Sequence, residues 1–296
     1  MHDCADYLAQ ALPEVLSQLA DRDDAEIIVV DDNSSDDPAR VVERLGRGRV
    51  QYRPNPEHLG AIGTFNRCLD LASGELVHLL HGDDAVLPGF YTAMDQTLAD
   101  PTPVAAVCRV RDVDAHNTST YITRSYREGT GIWTNALAAF AVSNRVRPSG
   151  IVVRRTAYER VGGYRTDLPH AADWEMWTRL AAHGAIMFVD QVLACYRRHD
   201  TSDTSARVRT ATNVRERVTA IGVVGGHVAP NRQARTTRIA LAYSVVFAAR
   251  TALALARAGK WSAAGRQGRE AIRCASLLPR GVSIHPHSPE ADTPRP

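Results

Sequence analysis

The sequence is poor in cysteine, and its cysteines lie far apart. The 296 residues contain five, an odd number without a CxxC pair: Cys4, Cys68, Cys108, Cys195 and Cys274. This pattern argues against a disulfide scaffold or a structural zinc site and favours a reducing compartment. The first residues also lack the basic and apolar regions of a secretory signal peptide. We therefore expect a cytoplasmic protein.

Acidic residues are scarce in the last third of the chain. Residues 1–200 carry 20 basic and 28 acidic side chains, a net charge of −8, whereas residues 201–296 carry 15 and 5, a net charge of +10. The formal charge of +2 for the whole chain therefore describes neither part. With 44% hydrophobic and 23% charged residues, the chain has the composition of a globular protein.

Short apolar runs alternate with helical patterns. Residues 5–20 place leucines at helical spacing, which predicts an amphipathic helix. Residues 26–30 (EIIVV) and 76–80 (LVHLL) are runs typical of buried strands in a parallel sheet. The alternation predicts an α/β domain with a mostly parallel sheet flanked by helices. Residues 229–279 predict further helices, rich in alanine and arginine.

An acidic pair follows each of the two apolar runs. Asp31 and Asp32 follow the first, and Asp83 and Asp84 follow the second. Ligands of open α/β sheets bind at the carboxyl ends of the strands, where these pairs are expected. Their oxygens suit the hydrogen-bonding groups of a nucleotide, or Mg²⁺ or Mn²⁺ bound to a diphosphate. The structural alternative is an acidic turn in which a small polar residue caps the next helix: Asn33, Ser34 or Ser35.

The segment ADWEMWTRL supplies a further carboxylate. Glu175 and Arg179 are four residues apart, which predicts a helical ion pair. Asp173 has no such partner in the sequence and is the better candidate for a general base. Trp174 and Trp177 are expected in the core.

Five motifs occur in the order and spacing of family 2 glycosyltransferases with the GT-A fold, which the chain resembles over about residues 4–205. They are VVDDNSSDD, NPEHLGAIGTFNRCLDLASGELVHLLHGDD with AVLPGF, SGIVVRRTAYERVGGY, ADWEMWTRLA and CYRRHDTSDTS. The resemblance implies a GT-A type α/β fold and an inverting transfer of sugar from a nucleoside-diphosphate sugar to an acceptor hydroxyl.

The resemblance also implies roles for the acidic pairs. Asp31 and Asp32 match the pair that contacts the nucleoside. Asp83 and Asp84 match the DxD-like element that binds the metal ion and the diphosphate of the donor. His81 stands where the family has its usual first aspartate, which leaves the metal ligand open between the two carboxylates. We favour Asp84 for the metal and Asp83 for the ribose or donor sugar.

Two more residues match positions with a role in the family. Asp173 matches the catalytic base. His199 matches a histidine that helps to hold the metal or diphosphate. With Mg²⁺ or Mn²⁺ as cofactor, the expected reaction is a single displacement that inverts the anomeric configuration. Cell-envelope or polysaccharide glycan synthesis is the expected setting.

The resemblance begins one element late. Family members start with an apolar strand ahead of the first helix, and His2-Asp3 lies where that strand ends, so we expect the first strand to be missing. We divide the chain into a GT-A domain at residues 1–205, a basic helical extension at 206–282 and a disordered tail at 283–296.

Alternatives in other functional classes remain. A sugar-phosphate nucleotidyltransferase has related architecture but normally opens with a glycine-rich loop, which is not visible here. A nucleotide-sugar binding protein without catalysis is the non-enzymatic alternative.

The basic extension bears on the acceptor. On a helical wheel five basic residues share one direction: Arg235, Arg238, Arg250, Arg257 and Lys260. The extension either packs on the catalytic domain or contacts the inner face of an anionic membrane, where a glycan or lipid-linked acceptor would be found. Nucleic acid is not expected, because aromatic residues are sparse among these arginines.

Overall fold

The computed structural model describes residues 1–199, 203–280 and 282. Those residues form two compact units. The first unit consists of residues 1–134, 146–166 and 183–198. The second consists of residues 135–145, 167–182 and the described residues from 199 onward. The predicted boundary near residue 205 stays a prediction, and the predicted disordered tail at 283–296 lies outside the described residues.

Helices and strands are mixed along the first two thirds of the chain, and the described residues after β9 form helices. The helices are α1 (Ala5–Gln18), α2 (Pro38–Gly46), α3 (Gly60–Leu71), α4 (Phe90–Thr97), α5 (Ala136–Phe140), α6 (Arg155–Val161), α7 (Ala172–His183), α8 (Asp203–Thr210), α9 (Thr212–Gly226), α10 (Pro230–Arg257) and α11 (Trp261–Leu277). The strands are β1 (Ile27–Asp31), β2 (Val50–Pro54), β3 (Leu76–Val77), β4 (Ala85–Val86), β5 (Ala105–Val113), β6 (Ser119–Ile122), β7 (Gly131–Ile132), β8 (Ile151–Arg154) and β9 (Ile186–Arg197).

The strands of the first unit form two sheets. β1 and β2 pair in parallel, and the larger sheet has the order β3-β8-β5-β9-β4, with β6 beside β5 and β7 beside β9. Among the described residues, β5 and β9 are the one parallel pair of neighbours in the larger sheet. The predicted α/β architecture is confirmed, but this sheet is mixed rather than mostly parallel. Parallel neighbours need a long crossover connection, whereas antiparallel neighbours can be joined by turns.

The spacing of leucines in α1 explains how this helix packs. Leu8 and Leu12 are buried against Val29 of β1 and Val42 of α2. Burying side chains of this size contributes about 1.5–3 kcal/mol each. The packing holds the carboxyl end of β1, and therefore its acidic pair, in place.

The edge of β1 opposite β2 is contacted by the first residue of the chain. The Met1 amino group donates to the Val30 carbonyl at 2.7 Å. The Asp32 amide donates to the Met1 carbonyl at 2.7 Å. Among the described residues no strand pairs with this edge.

The second unit is helical. Buried residues of α7, α9 and α10 form one cluster, which includes Trp174, Ile221 and Leu241. The Trp174 indole donates to the Phe140 carbonyl at 2.5 Å, and Trp177 is also buried. The prediction that both tryptophans belong to the core is confirmed.

The predicted ion pair on α7 is confirmed, and it is fully buried. Arg179 Nη2 donates to Glu175 Oε2 at 2.9 Å, and both side chains have an exposed fraction of 0%. A ring nitrogen of His227 lies 2.8 Å from the other oxygen of Glu175. The network links α7 to His227, the residue directly after α9. Removing one partner would leave a buried charge uncompensated, so the network stabilises this contact.

Helix α10 leaves a long apolar surface exposed. Among the described residues it is the one helix long and apolar enough to cross a membrane, and only 22% of that apolar stretch is buried. Eleven large hydrophobic side chains of the described chain are exposed, and seven of them belong to α10 or α11. They are Ile239, Tyr243, Val246, Phe247, Leu253, Trp261 and Ile272.

Candidate active site

Asp31 closes the turn that follows β1. Its Oδ1 accepts hydrogen bonds from the Ser34 amide, at 3.2 Å, and from the Ser34 hydroxyl. Its Oδ2 accepts a hydrogen bond from the Tyr52 hydroxyl at 2.6 Å. Burial, together with this bond to Asp31, raises the pKa of Tyr52. The carboxylate therefore has a structural role in an acidic turn, which was the structural alternative given in the sequence analysis. Its contact with a nucleoside stays a prediction.

Asp32 is buried, and its two oxygens have different surroundings. Oδ1 accepts hydrogen bonds from the Leu59 amide at 2.7 Å and from Asn55 Nδ2 at 2.9 Å. Oδ2 lies 3.0 Å from a ring nitrogen of His58. Burial alone would raise the pKa of Asp32, but the hydrogen bonds from Asn55, Leu59 and Thr64 and the charge of His58 lower it. The side chain is thus held as a carboxylate.

The helix after this turn is capped by a residue other than the three that the sequence offered. Asp37 is the N-cap of α2, and its side chain accepts a hydrogen bond from the Arg40 amide at 3.3 Å. Ser34 bonds Asp31 instead, and the Ser35 amide donates to Asp3 at 2.8 Å. The hypothesis of a cap at Asn33, Ser34 or Ser35 is wrong, because the helix begins at Pro38, directly after Asp37.

The second acidic pair ends a loop that begins earlier than expected. The predicted strand 76–80 stops at Val77, since the next side chain turns into the interior. The ring nitrogens of His78 lie 3.3 Å from the Tyr91 hydroxyl and 3.2 Å from the Ser149 carbonyl. Burial lowers the pKa of His78 to about 4. This neutral histidine anchors the start of the loop.

His81 occupies the position for which the resemblance implied an aspartate. Its ring stacks on Phe65, with 4.8 Å between the ring centroids. Burial lowers the pKa of His81, and the charge of Asp83 opposes this only in part. A neutral imidazole in this position adds no negative charge, so carboxylate ligands for a cation come from Asp83 and Asp84.

The amino-terminal segment lies between the two acidic turns. Met1 accepts the Asp32 amide on one side. On the other side, a Cβ atom added to Gly82 would lie 2.5 Å from Cys4 Sγ and 2.7 Å from Met1 Cβ. Only glycine permits this close approach. The structure therefore brings the two acidic turns to opposite sides of the same short segment.

Asp84 is buried with one carboxylate oxygen unsatisfied. Its Oδ1 accepts a hydrogen bond from the Arg197 amide at 2.8 Å. Its Oδ2 and the Ser149 hydroxyl are both buried without a well-formed hydrogen bond among the described residues, although Ser149 lies close enough to Asp84 to lower its pKa in part. Burial, and next the charge of Asp83, raise the pKa of Asp84 well above its usual value. A bound cation would oppose this shift, because its positive charge stabilises the ionised carboxylate.

The residues around Asp84 therefore fit a divalent cation. Its unsatisfied oxygen is the kind of hard ligand that Mg²⁺ and Mn²⁺ prefer, and Asp83 provides a second carboxylate beside it. An unpaired buried carboxylate is costly, so such an atom calls for a cation or a proton.

Arg197 ties this loop to β9. Its Nε donates to the Asp83 carbonyl at 2.9 Å, and its Nη1 donates to Asn117 Oδ1 at 2.6 Å. The guanidinium also lies 4.6 Å from the centroid of the Tyr7 ring. These contacts fix the backbone that carries the acidic pair.

Asp173 belongs to the second unit and lies in the first turn of α7. Its Oδ2 accepts a hydrogen bond from Asn144 Nδ2 at 2.7 Å, and its Oδ1 accepts one from the Trp174 amide at 2.7 Å. The amino-terminal end of a helix favours an ionised carboxylate. The side chain is partly exposed, as a base must be, and the catalytic role stays a prediction.

His199 also belongs to the second unit. It is half-buried, and its carbonyl accepts a hydrogen bond from the Ser205 hydroxyl at 2.8 Å. The structure thus describes the acidic turns in one unit and Asp173 and His199 in the other, so the metal role of His199 stays a prediction.

Sequence reasoning missed three residues that hold the acidic pairs. Asn55 and His58 contact Asp32, and Arg197 contacts both Asp83 and Asp84. All three lie within motifs that carry the family resemblance, NPEHLG and CYRRH. Their position within these motifs was the one sequence signal that could have pointed to them. Their partners could not be read from the sequence, because they are set by tertiary contacts.

Comparison with solved structures identifies the fold as that of GT-A glycosyltransferases. The Staphylococcus aureus TarS structure with UDP-GlcNAc matches with a TM-score of 0.60 and 14% identity, over 93% of this chain and 90% of that chain. The mannosyltransferase PcManGT of Pyrobaculum calidifontis, with GDP-Man and Mn²⁺, matches with a TM-score of 0.58 and 20% identity. The match covers 94% of this chain and 84% of PcManGT.

The chain belongs to glycosyl transferase family 2, whose model matches residues 1–162. The uncharacterized protein MT1568 of Mycobacterium tuberculosis is 30% identical over 65% of this chain and 64% of its own length. A Campylobacter jejuni protein, GalNAc(5)-diNAcBac-PP-undecaprenol beta-1,3-glucosyltransferase, is 41% identical over 30% of this chain and 29% of its own length. The chain thus spans less than two thirds of these curated relatives.

Proposed function

We propose that the protein transfers a sugar from a nucleoside-diphosphate sugar to an acceptor hydroxyl, with inversion at the anomeric carbon. The unsatisfied carboxylate oxygen of Asp84, in a loop that also carries Asp83, is the observation that supports this most directly. Membership in family 2 and the donors present in the two solved relatives point to the same donor class.

The proposed donor site uses the two acidic turns. Asp31 and Asp32 contact the nucleoside, Asp83 the ribose or donor sugar, and Asp84 holds Mg²⁺ or Mn²⁺ with help from His199. A cation bound there acts as a Lewis acid for the departing diphosphate. Asp32 is already held by Asn55 and Leu59, so it would meet a nucleoside without reorganising.

Asp173 is the proposed general base. It removes the proton of the acceptor hydroxyl as that oxygen forms a bond to the anomeric carbon. The bond from the anomeric carbon to the diphosphate oxygen breaks, and the nucleoside diphosphate leaves with the electron pair. Asn144 donates to one oxygen of Asp173, so it orients the carboxylate for this step. One displacement of this kind inverts the configuration.

Replacing the base while keeping its shape tests the proposal. We expect Asp173→Asn to lower kcat by about 10²- to 10⁴-fold, the usual contribution of a general base, with nucleotide affinity unchanged. Asp70→Asn, which removes an exposed carboxylate of α3, is the matched control and should transfer sugar normally. Transfer by Asp173→Asn at the rate of the unmodified protein would refute the assignment of Asp173 as the base. Nucleotide binding by the unmodified protein without any sugar transfer would instead favour a binding protein without catalysis.

We further propose a lipid-linked or envelope glycan as acceptor, reached by peripheral contact of α10 with the inner face of an anionic membrane. The relative from Campylobacter jejuni carries undecaprenol in its name. Ile239, Val246 and Leu253 are about half exposed, and Arg250 and Arg257 lie on the same face of the helix by the 100° rotation per residue. Arginine in a membrane centre costs about 2.5–3.5 kcal/mol, which favours a helix in the membrane plane over a spanning one.

A further inference from the structure

Two histidines and an aspartate converge beside the turn that follows β1. A ring nitrogen from each of His2 and His58 and a carboxylate oxygen of Asp32 lie within 4.8 Å of one another. The two imidazole rings are 4.4 Å apart at their centroids. All three residues belong to the first unit. Neither histidine has a part in the proposed transfer.

The carboxylate of this cluster is oriented in advance. The Leu59 amide and Asn55 Nδ2 both donate to Oδ1 of Asp32. Oδ2 is left on the side of His58, whose ring nitrogen lies 3.0 Å away. Hydrogen bonds to the distal oxygen of a ligating carboxylate are the usual outer-shell support of a metal site.

The segment that carries His2 is also anchored. The Asp3 amide donates to the Ser34 hydroxyl at 3.0 Å, and the Ala5 amide donates to Asp36 at 2.7 Å. A ring nitrogen of His2 lies 2.9 Å from the Asp32 carbonyl. These contacts keep the imidazole at the acidic turn although its side chain is 43% exposed.

Binding a metal ion requires the three donor atoms, which lie within 4.8 Å of one another, to move closer together. Zinc ligands lie at about 2.0–2.1 Å, so the donor atoms of a tetrahedral site are about 3.3 Å apart. The side chains of His2 and His58 are 43% and 54% exposed. Half-exposed imidazoles can rotate by this amount, whereas the buried carboxylate stays fixed.

We propose that His2, Asp32 and His58 form a binding site for Zn²⁺, separate from the oxygen site at Asp84. Two imidazoles and one carboxylate are a ligand set that favours Zn²⁺ over Mg²⁺ or Mn²⁺, and a fourth position remains for water or another ligand. One consequence rests on the proposed function. If Asp32 also contacts the nucleoside, Zn²⁺ and the donor compete for the same carboxylate.

The site is tested by calorimetric titration of the full chain with Zn²⁺, in excess Mg²⁺ to occupy oxygen-ligand sites. We expect one Zn²⁺ per chain at this site. His2→Gln and His58→Gln should each weaken binding by at least about tenfold, the lower limit seen when even an outer-shell partner is removed. His116→Gln removes an exposed histidine near another carboxylate, Asp114, and should leave the affinity unchanged.

The outcomes separate the site from the enzyme reaction, because this titration uses no donor. Absence of Zn²⁺ binding, or equal affinity in His58→Gln and the unmodified protein, overturns the site. A second titration with UDP, with and without Zn²⁺, tests the competition. We expect Zn²⁺ to raise the Kd for UDP in the unmodified protein and not in His58→Gln. An unchanged Kd in both proteins overturns the competition.

Discussion

At the scale of single residues, the same carboxylate can support the fold and a ligand. The positions of Asp31 and Asp32 after a buried strand could be read from the sequence, as could the structural alternative. Their hydrogen-bond partners could not, because Tyr52 and Asn55 approach from later elements. Asp84 differs from them in having a buried oxygen without a well-formed hydrogen bond among the described residues. That property depends on three-dimensional packing, and it separates Asp84 from Asp83.

Asp84→Asn tests this property. The substitution removes a buried charge and keeps the oxygen that accepts from the Arg197 amide. We therefore expect Asp84→Asn, measured without metal, to be at least as stable as the unmodified protein. Mn²⁺ with UDP should stabilise the unmodified protein by about 2.7 kcal/mol at 100 times Kd, and this gain should be lost in Asp84→Asn.

Thermal denaturation with and without Mn²⁺ measures both effects. Asp83→Asn is the matched variant, because it alters the neighbouring carboxylate and should keep more of the response to Mn²⁺ than Asp84→Asn does. A response lost in Asp83→Asn and kept in Asp84→Asn would reverse the assignment of the metal ligand.

At the scale of elements, hydrophobic patterns predicted the positions of helices and strands, but not their caps or the directions of the strands. The helix at 5–20 and the strand at 26–30 are present as α1 and β1, because their apolar spacing matches one buried face or core. The end of β3 was missed, since His78 reads as part of an apolar run but bonds inward. Strand directions were missed because β8 pairs with β5 over a long sequence separation.

The cap of α2 gives an element-scale prediction. Asp37 has a φ of 56°, in the left-handed region, where asparagine is tolerated and alanine is strained. Asp37→Ala should therefore lower the free energy of unfolding by about 1–2 kcal/mol, through loss of the cap and backbone strain. Urea denaturation of Asp37→Asn, which keeps a capping oxygen, serves as the control. Equal stability of the two variants would show that the cap contributes little.

At the scale of the whole molecule, the charge division has a structural counterpart. Residues 1–200, the part with a net negative charge, include both acidic turns, whose charge a cation would partly neutralise. Residues 201–296, the part with a net positive charge, include α10, on which arginines accompany exposed apolar side chains such as Val246 and Leu253. The wheel predicted one direction for five basic residues, but α10 ends at Arg257, so Lys260 lies outside this helix and only the four arginines share its wheel. It did not show that apolar side chains share the same exposed face, because that depends on which face packs against α9 and α11.

An exposed face that is both apolar and basic predicts binding to anionic membranes. We expect the protein to float with vesicles containing anionic lipid and to remain unbound with neutral vesicles, because each basic residue near an anionic surface contributes about 1 kcal/mol. Val246→Ser with Leu253→Ser should reduce recovery by removing apolar contact, and Arg235→Gln with Arg238→Gln should reduce the dependence on anionic lipid. Ile132→Ser, at an exposed residue of β7, is the matched control. Equal recovery with anionic and neutral vesicles would refute the membrane contact and leave α10 as a helix that only packs within its own unit.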